Sequence, residues 1–472
     1  MTGAPARSVN LPQALYDAGG SRRVDQEAMH LGGFTAKAFM ERAAQAALTE
    51  LRCRYPSAQR VAILAGPGRN GGDGRLLAAQ TGLPMAVDLI EPGLMAAEEI
   101  ARRLAGCDVV VDAMFGTGLQ RPPEGCWRET IVAVNHAARP VFALDVPSGI
   151  DASTGNTPGV AIRADATLCL VTLKAGLFTG NALDYRGALL FDSLDVPSDA
   201  YDRVVPVAWR MRDPREIRLP VPRPNTHKGE MGRVLVVGGG PGMPGAARLA
   251  GEAAYVGGAG LVVVATHPGH AACLNVAVPE LIVYGVDNLS ILKERHFDAL
   301  AVGCGLGQDA WAEAMWAAAC AFPGPLVVDG DALRLLARAP THCSNFVLTP
   351  HPGEAALLLG CSSAVIQADR RAAAAEIVGR FGGVCVLKGA GTIVADGRRC
   401  YVCDCGSAAL ATAGTGDVLT GLVAAFLGRG LGAPDAARLA VMLHGRAGEH
   451  APGPGLRASG LLPWIWHDPD MS

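Results

Sequence analysis

Short runs of β-branched and other apolar residues alternate with Ala-, Leu- and Arg-rich stretches along almost the whole chain, and this rhythm limits the possible folds more than any other feature. "RVAILAG", "CDVVVDAMFG", "PVFALDVPSG" and "DATLCLVTLK" have strand character, and the stretches between them have helix character. Such alternation predicts a parallel sheet covered by helices on both faces. The rhythm stops once, in "PVAWRMRDPREIRLPVPRPNTHKGE", a Pro- and Arg-rich segment without apolar period that reads as a linker ending near Lys228. It restarts with "RVLVVGGG", "LVVVAT", "DALAVGCGLG", "PLVVDGDAL", "FVLTPHPGE" and "VCVLKGAGT", and a helix is predicted from "GTGDVLTGLVAAFLG". At 472 residues the chain is too long for one ordinary core. The expected organisation is α/β with two domains, 1–212 and 228–472, joined by a linker over 213–227. The 60 glycines concentrate where strands end, which is where open parallel sheets bind ligands. Both halves therefore read as ligand-binding domains.

Charge and cysteine usage narrow the partners. Lys and Arg number 41 against 44 Asp and Glu, a net charge of −3 with no long run of one sign. That balance argues against nucleic acid or an anionic membrane as the main partner. The 13 cysteines are scattered, and "CDC" at Cys403–Cys405 is too tight for a usual zinc pair and reads as apolar burial. An odd cysteine count fits reduced thiols in a cytosol. "MTGAPARSVNLPQAL" has no apolar signal region and no run reaches membrane-spanning length, so a soluble cytoplasmic protein is expected.

In "VAILAGPGRNGGDG", Gly66, Gly68 and Gly71 satisfy the G-x-G-x-x-G pattern of dinucleotide-binding folds, with Asp88 about twenty residues on. Two details oppose a dehydrogenase. Pro67 and "GGDG" are expected to lengthen the loop, and Asp73 sets a carboxylate among amides that would receive pyrophosphate. Asp88 reads more simply as a strand-end or surface carboxylate. Two further strand ends carry chemistry: "VDAMFGTGL" has Asp112 and a Gly116–Gly118 turn, and "ALDVPSGIDASTG" has Asp145 followed by Pro-Ser-Gly. Three such loops would converge on one crevice, where clustered oxygens suit a hard cation and glycine amides suit phosphate. Asp145 taken alone reads as a turn cap; with the other loops it reads as functional.

These strings, with "FMERAAQAAL" upstream and "TLKAGL" downstream, resemble the NAD(P)H-hydrate epimerase family over essentially the whole first half. The resemblance implies a Rossmann-like αβα sandwich that interconverts the R and S forms of hydrated NADH or NADPH. It further implies that Asn70, Asp112 and Ser148 hold a potassium ion. Asn70, Gly71, Gly72 and Asp73 would line the substrate with the 116–122 loop, notably Gly116, Thr117 and Gly118. Asp145 would touch the substrate and act as its acid/base. One departure is Arg69, where the family usually has Asn; an Arg there can clamp a phosphate or crowd the pocket.

In the second half, Gly414-Thr415-Gly416 exposes amides at the start of an apolar helix, an anion hole strengthened by the helix dipole. Asp417 in that first turn is placed to take a proton from a hydroxyl during phosphoryl transfer. A lone Asp there would be ordinary helix-terminal charge. "LKGAGT" adds a second phosphate cradle with Lys388, and "TPHPGE" holds His351 stiffly between two prolines. With "HKGEMGRVLVVGGGPGMPGAARLA", "VGCGLG" and "VVDGDAL", these resemble the ribokinase-like superfamily, and within it the NAD(P)H-hydrate dehydratase branch. The resemblance implies a ribokinase-like αβα sandwich that phosphorylates the hydrate with a nucleotide and then loses phosphate to restore NAD(P)H. Lys388, Gly389, Ala390, Gly391, Thr392 and Gly416 would contact the nucleotide. Ala246, Gly307, His351 and Asp417 would contact the hydrate, with Asp417 the base.

By the same resemblance, two-domain members of the family use ADP, so the fusion implies ADP over ATP; magnesium is implied by phosphoryl transfer, and a homo-oligomer is expected. Ser407, Ala413 and Ser459-Gly460 depart from the family's usual Asn, Gly and Asp. The competing reading of the chain is a vitamin-precursor kinase carrying a non-catalytic binding module.

Overall fold

The computed structural model describes residues 11–80, 85–119, 121–453 and 455–467. The chain divides into two compact units, Met1–Arg210 and Met211–Ser472.

In the first unit a parallel six-stranded sheet runs, edge to edge, Ala86–Ile90, Arg60–Ala65, Val109–Ala113, Val141–Leu144, Ala166–Leu170 and Ala188–Asp192. Side chains along a strand alternate between faces, so a strand apolar at every position must be covered twice. Val61, Ile63, Val109 and Val111 accordingly join a core with Ala43, Ala47 and Leu51 of the helix Ala36–Arg54. Ala62, Leu64 and Val110 join another with Ile100, Leu104 and Ile131, from the helices Ala97–Ala105 and Cys126–His136. Strand order reverses between Arg60–Ala65 and Val109–Ala113, opening a crevice where their following loops part. A short strand, Ala14–Tyr16, pairs parallel with Leu173–Lys174 and antiparallel with Ala208–Met211.

In the second unit the parallel strands are ordered Ile282–Gly285, Leu261–Thr266, Arg233–Val237, Ala299–Val302, Leu326–Val328, Phe346–Leu348 and Val384–Leu387. The order reverses between Arg233–Val237 and Ala299–Val302, which makes a second crevice. Beyond Val384–Leu387 the sheet is not parallel: Ile393–Ala395 and Cys400–Cys403 run antiparallel. Their connections are too short for the crossover that a parallel neighbour requires.

The helix Thr415–Gly428 is apolar around most of its circumference and almost wholly buried. It lies so close to the helix Pro244–Val256 that a Cβ on Gly421 would stand 2.1 Å from the Ala250 carbonyl oxygen. Within the segment expected to be a linker, Ile217 packs into the second unit's core. All 13 cysteines are free. Among the described residues no helix is long and apolar enough to cross a membrane.

Candidate active sites

The helix Arg69–Ala78 begins directly after Gly68, so "GGDG" lies inside its first turns and does not lengthen the loop as the sequence suggests. Close packing explains the glycines. A Cβ on Gly66 would sit 1.9 Å from the Met114 carbonyl oxygen, and one on Gly71 would sit 1.8 Å from that of Gly66. The spacing thus welds two loops together at the switch point, a task that requires no pyrophosphate. Asp88, on the edge strand, is ion-paired with Arg103 at 2.8 Å.

A cavity of about 490 Å³ opens at this crevice and gathers Arg69, Asn70, Asp73, Asp145 and the loop Gly116–Gly118. Gln120 of the same expected loop lies outside the described residues. Gly71 and Gly72 are not on the cavity wall, although a Cβ on Gly72 would meet Met40 Sδ, which is part of a wall residue, at 3.1 Å. Asp112 and Ser148 are fully buried. Ser148 donates from its amide to Asp112 Oδ2 (2.7 Å) and from Oγ to Oδ1 (2.6 Å), while its Oγ accepts from the amide of cavity-lining Phe115 at 2.8 Å. Burial pushes Asp112 up to about 6 despite these bonds. Asn70 donates to the Leu144 carbonyl at 3.1 Å, and its buried Oδ1 has no partner among the described residues.

Asp145 occupies the left-handed backbone region, with φ of 66°. Its Oδ1 accepts from Lys174 Nζ and from the Leu170 amide (3.3 Å), while Oδ2 faces Gly116, where a Cβ would lie 3.4 Å away. Two more carboxyls share the cavity. Asp73, with a buried and unpartnered Oδ1, is pushed up to about 8 by burial and then by Asp145 and Asp25. Asp25 rises to about 6, also chiefly through burial. Asp25 and Lys174 were not read from the sequence as functional. Lys174 had a usable signal, a lone charge inside the apolar "LVTLKAGL"; Asp25, in the polar "RRVDQEAMH", had none.

In the second unit the candidate groups stand at the carboxyl ends of the parallel strands. Lys388, just after Val384–Leu387, is ion-paired with Asp329 at 2.7 Å, and Thr420 donates to the other Asp329 oxygen at 2.8 Å. Asp329 follows Leu326–Val328 directly. Asp417 lies in the first turn of Thr415–Gly428, and ligand atoms of Cys304, Asp329 and Asp417 lie within 4.8 Å of one another. Burial and then the neighbouring Asp329 charge push Asp417 up to about 7.

Gly416 joins this group: a Cβ there would be 3.3 Å from Lys388 Nζ. The loop Lys388–Thr392 is tied down by buried Arg370, which donates to the Leu387 and Lys388 carbonyls at 3.1 and 3.2 Å. Within it Thr392 Oγ1 donates to the Gly389 carbonyl, Gly389 and Gly391 have positive φ, and Ala390 is exposed.

His351 caps the helix Pro352–Leu359, its Nδ1 accepting from the Gly353 amide at 2.9 Å, and Glu354 returns the contact by accepting from the His351 amide. Glu354, 3.9 Å from Lys388, is pushed up to about 7, chiefly by burial. Gly307 donates its amide to Asp331, and Ala246 packs beside Gly305 on the same loop. Asp329, Glu354 and Cys304 lie in "VVDGDAL", "TPHPGE" and "VGCGLG", where no local pattern marks them as functional. Their importance shows only when folding brings them to Lys388 and Asp417.

Comparison with known proteins follows the same division. The family model for NAD(P)H-hydrate dehydratase matches residues 234–457, and that for the YjeF-related protein N-terminus matches 36–92 and 83–176. A bifunctional NAD(P)H-hydrate repair enzyme of Escherichia coli is 39% identical over 464 residues, covering 93% of this chain and 90% of that protein. One from Coxiella burnetii is 36% identical over 463 residues, covering 92% and 95%. The crystal structure of a ribokinase-like superfamily protein from Enterococcus faecalis superposes with a TM-score of 0.50 at 25% identity, covering 53% of this chain and 91% of that one. This chain belongs to the family of bifunctional NAD(P)H-hydrate repair enzymes.

Proposed function

We propose that the chain repairs hydrated NADH and NADPH: residues 1–212 interconvert the R and S hydrates, and residues 228–472 dehydrate the S form with ADP. The carrying observation is that each unit holds a carboxyl at the reacting end of its sheet, Asp145 facing the cavity and Asp417 on an amide-bearing helix terminus. Family membership over 93% of the chain favours this reading over a vitamin-precursor kinase with a passive first half.

Epimerisation opens and recloses a C–O or C–N bond at the hydroxylated carbon, which requires a positioned proton carrier. Asp145 is that carrier, with Asn70, Asp73 and Gly116–Gly118 around the substrate. The residues fit potassium: the orphaned Asn70 Oδ1, the buried Asp112 carboxylate and the Ser148 hydroxyl are oxygen donors in want of positive charge. Bound there, the ion would supply a fixed positive charge beside the substrate.

In dehydration Asp417 takes the hydroxyl proton as that oxygen attacks the terminal phosphoryl group of ADP and AMP departs. Phosphate then leaves with the C–O bonding pair, and loss of a proton from the adjacent carbon restores the double bond. Phosphate is a far better leaving group than hydroxide. Lys388–Thr392 and Gly416 hold the nucleotide; Ala246, Gly307 and His351 hold the hydrate. Magnesium suits one or two protein carboxylates, and Asp329 and Glu354 beside Lys388 are the ones that would hold it. Bound there, it would neutralise phosphate charge. The thirteen free thiols support a cytoplasmic location.

Mixed R and S hydrates of NADH, incubated with ADP, ATP or neither, provide the test through returning NADH absorbance. Full restoration with ADP is expected. No restoration with either nucleotide overturns the dehydratase assignment. R hydrate that disappears no faster than it epimerises spontaneously overturns the epimerase assignment.

A further inference from the structure

Lys174 is the most deeply buried cation near the first cavity, its side chain 1% exposed, yet it stands among the cavity's wall residues. A buried ammonium is costly unless all of its protons find acceptors. Here all three do. Nζ donates to Asp145 Oδ1, to the Leu170 carbonyl at 2.8 Å and to the Thr172 carbonyl at 3.0 Å. An ammonium has three donors and no acceptor, so Lys174 has none left for a substrate.

The consequence falls on Asp145. Lys174 and the Leu170 amide hold Oδ1, leaving Oδ2 directed at the side-chain-free edge of Gly116. The backbone φ of 66° turns this non-glycine residue out of the strand and into the crevice. The same cavity contains Asp25 and Asp73, with Arg69 and Arg22 as further cations on its wall. Arg22 donates to the Thr117 carbonyl, and Arg69 is exposed. Lys174 is thus the cation committed to Asp145.

We propose that Lys174 is the positioning residue of the epimerisation site: it locks Asp145 Oδ1 so that Oδ2 alone meets the substrate. It acts through Asp145 and never touches the hydrate. This rests on the epimerase reading of the first half. Lys174→Met keeps the stem and removes the charge. It should lower kcat for R-hydrate consumption by roughly 10²–10³-fold, within the range of positioned acid–base catalysis, with KM changed less than about threefold. Asp145→Asn should lose a similar factor, and Asp145→Asn/Lys174→Met should be no slower than the worse single variant, since the lysine has nothing left to position.

Dehydration of pure S hydrate by the same preparations reports on the integrity of the rest of the chain. A purely structural lysine would give fully additive losses or a change in KM alone, and either result overturns the proposal. Should Lys174→Met not fold because Asp145 is left unpaired, Asp145→Asn against the double variant carries the test. Equal kcat is expected, and a further tenfold loss overturns it. Wild-type protein separates the two levels. If it does not epimerise R hydrate, the epimerase reading has failed; if it does and Lys174→Met is unaffected, only the positioning role has failed.

Discussion

Each unit sets a lysine at the carboxyl edge of its sheet, and the two lysines choose different partners. Lys174 binds Asp145, one of three carboxyls on the cavity wall. Lys388 binds Asp329 and leaves Asp417 beside that pair, with a helix terminus and the Cys304 thiol as company. A carboxylate tied to a buried ammonium is fixed in direction. One that is buried beside a like charge is drawn towards neutral pH, where it exchanges a proton most readily. On the proposed reading, the same ingredients would make an aimed proton carrier of Asp145 in one half and a poised one of Asp417 in the other.

The sharpest way to break this contrast is to remove the poised group. Asp417→Asn should reduce dehydration of the S hydrate by roughly 10³-fold, the scale expected of a general base. R-hydrate epimerisation in the same preparation is the internal control. A loss of less than tenfold would mean that another group takes the hydroxyl proton.

Next in size is the pH response. The base must be ionised to accept a proton, and Asp417 is pushed up to about 7. Below that value kcat/KM for the S hydrate should fall about tenfold per pH unit, and above it the rate should level off. A profile flat from pH 5 to 8 would show that Asp417 is not the titrating base.

Breaking the second pair should be felt in stability. Asp329→Ala leaves Lys388 facing Glu354 at 3.9 Å in place of a 2.7 Å partner. Losing one member of a largely buried pair costs about 3 kcal/mol, measurable by denaturant titration of the variant. The same change removes the like charge beside Asp417, so any activity that survives should have its pH midpoint shifted downwards. An unchanged midpoint would mean that burial alone sets the proton affinity of Asp417.

How far these sites were legible in the sequence follows from what each signal depends on. Strands buried on both faces read as unbroken apolar runs, so "VVVDA" and "RVLVV" disclosed the parallel sheets. The antiparallel edge escaped because Ile393–Ala395 and Cys400–Cys403 are too short to show a period. "GGDG" reads as loop on propensity. Tertiary packing of Gly71 against Gly66 overrides that preference and starts the helix at Arg69. Asp145 and Asp417 were visible because a turn and a helix start marked them. Their surroundings were not, since Lys174 lies 29 residues beyond Asp145 and Asp329 lies 59 before Lys388, pairings that only the fold creates.

Arg69 should give the smallest effect, and its signs are informative. It occupies the first position of the helix Arg69–Ala78, the wrong end of the dipole for a cation, and is exposed on the cavity wall. A residue kept there for stability would be poorly chosen. Its positive charge does offset the acidic cavity, lowering the proton affinity of both Asp73 and Asp25. Arg69→Asn relieves an unfavourable charge at the helix terminus but removes the cation that offsets Asp73 and Asp25, so the stability of the fold should change by less than about 1 kcal/mol. The same variant should raise KM for the R hydrate about threefold, because an anionic dinucleotide then meets three carboxyls with one fewer cation beside them. A larger loss of stability together with unchanged KM would assign Arg69 to packing, and would leave Lys174 as the cation that matters in this cavity.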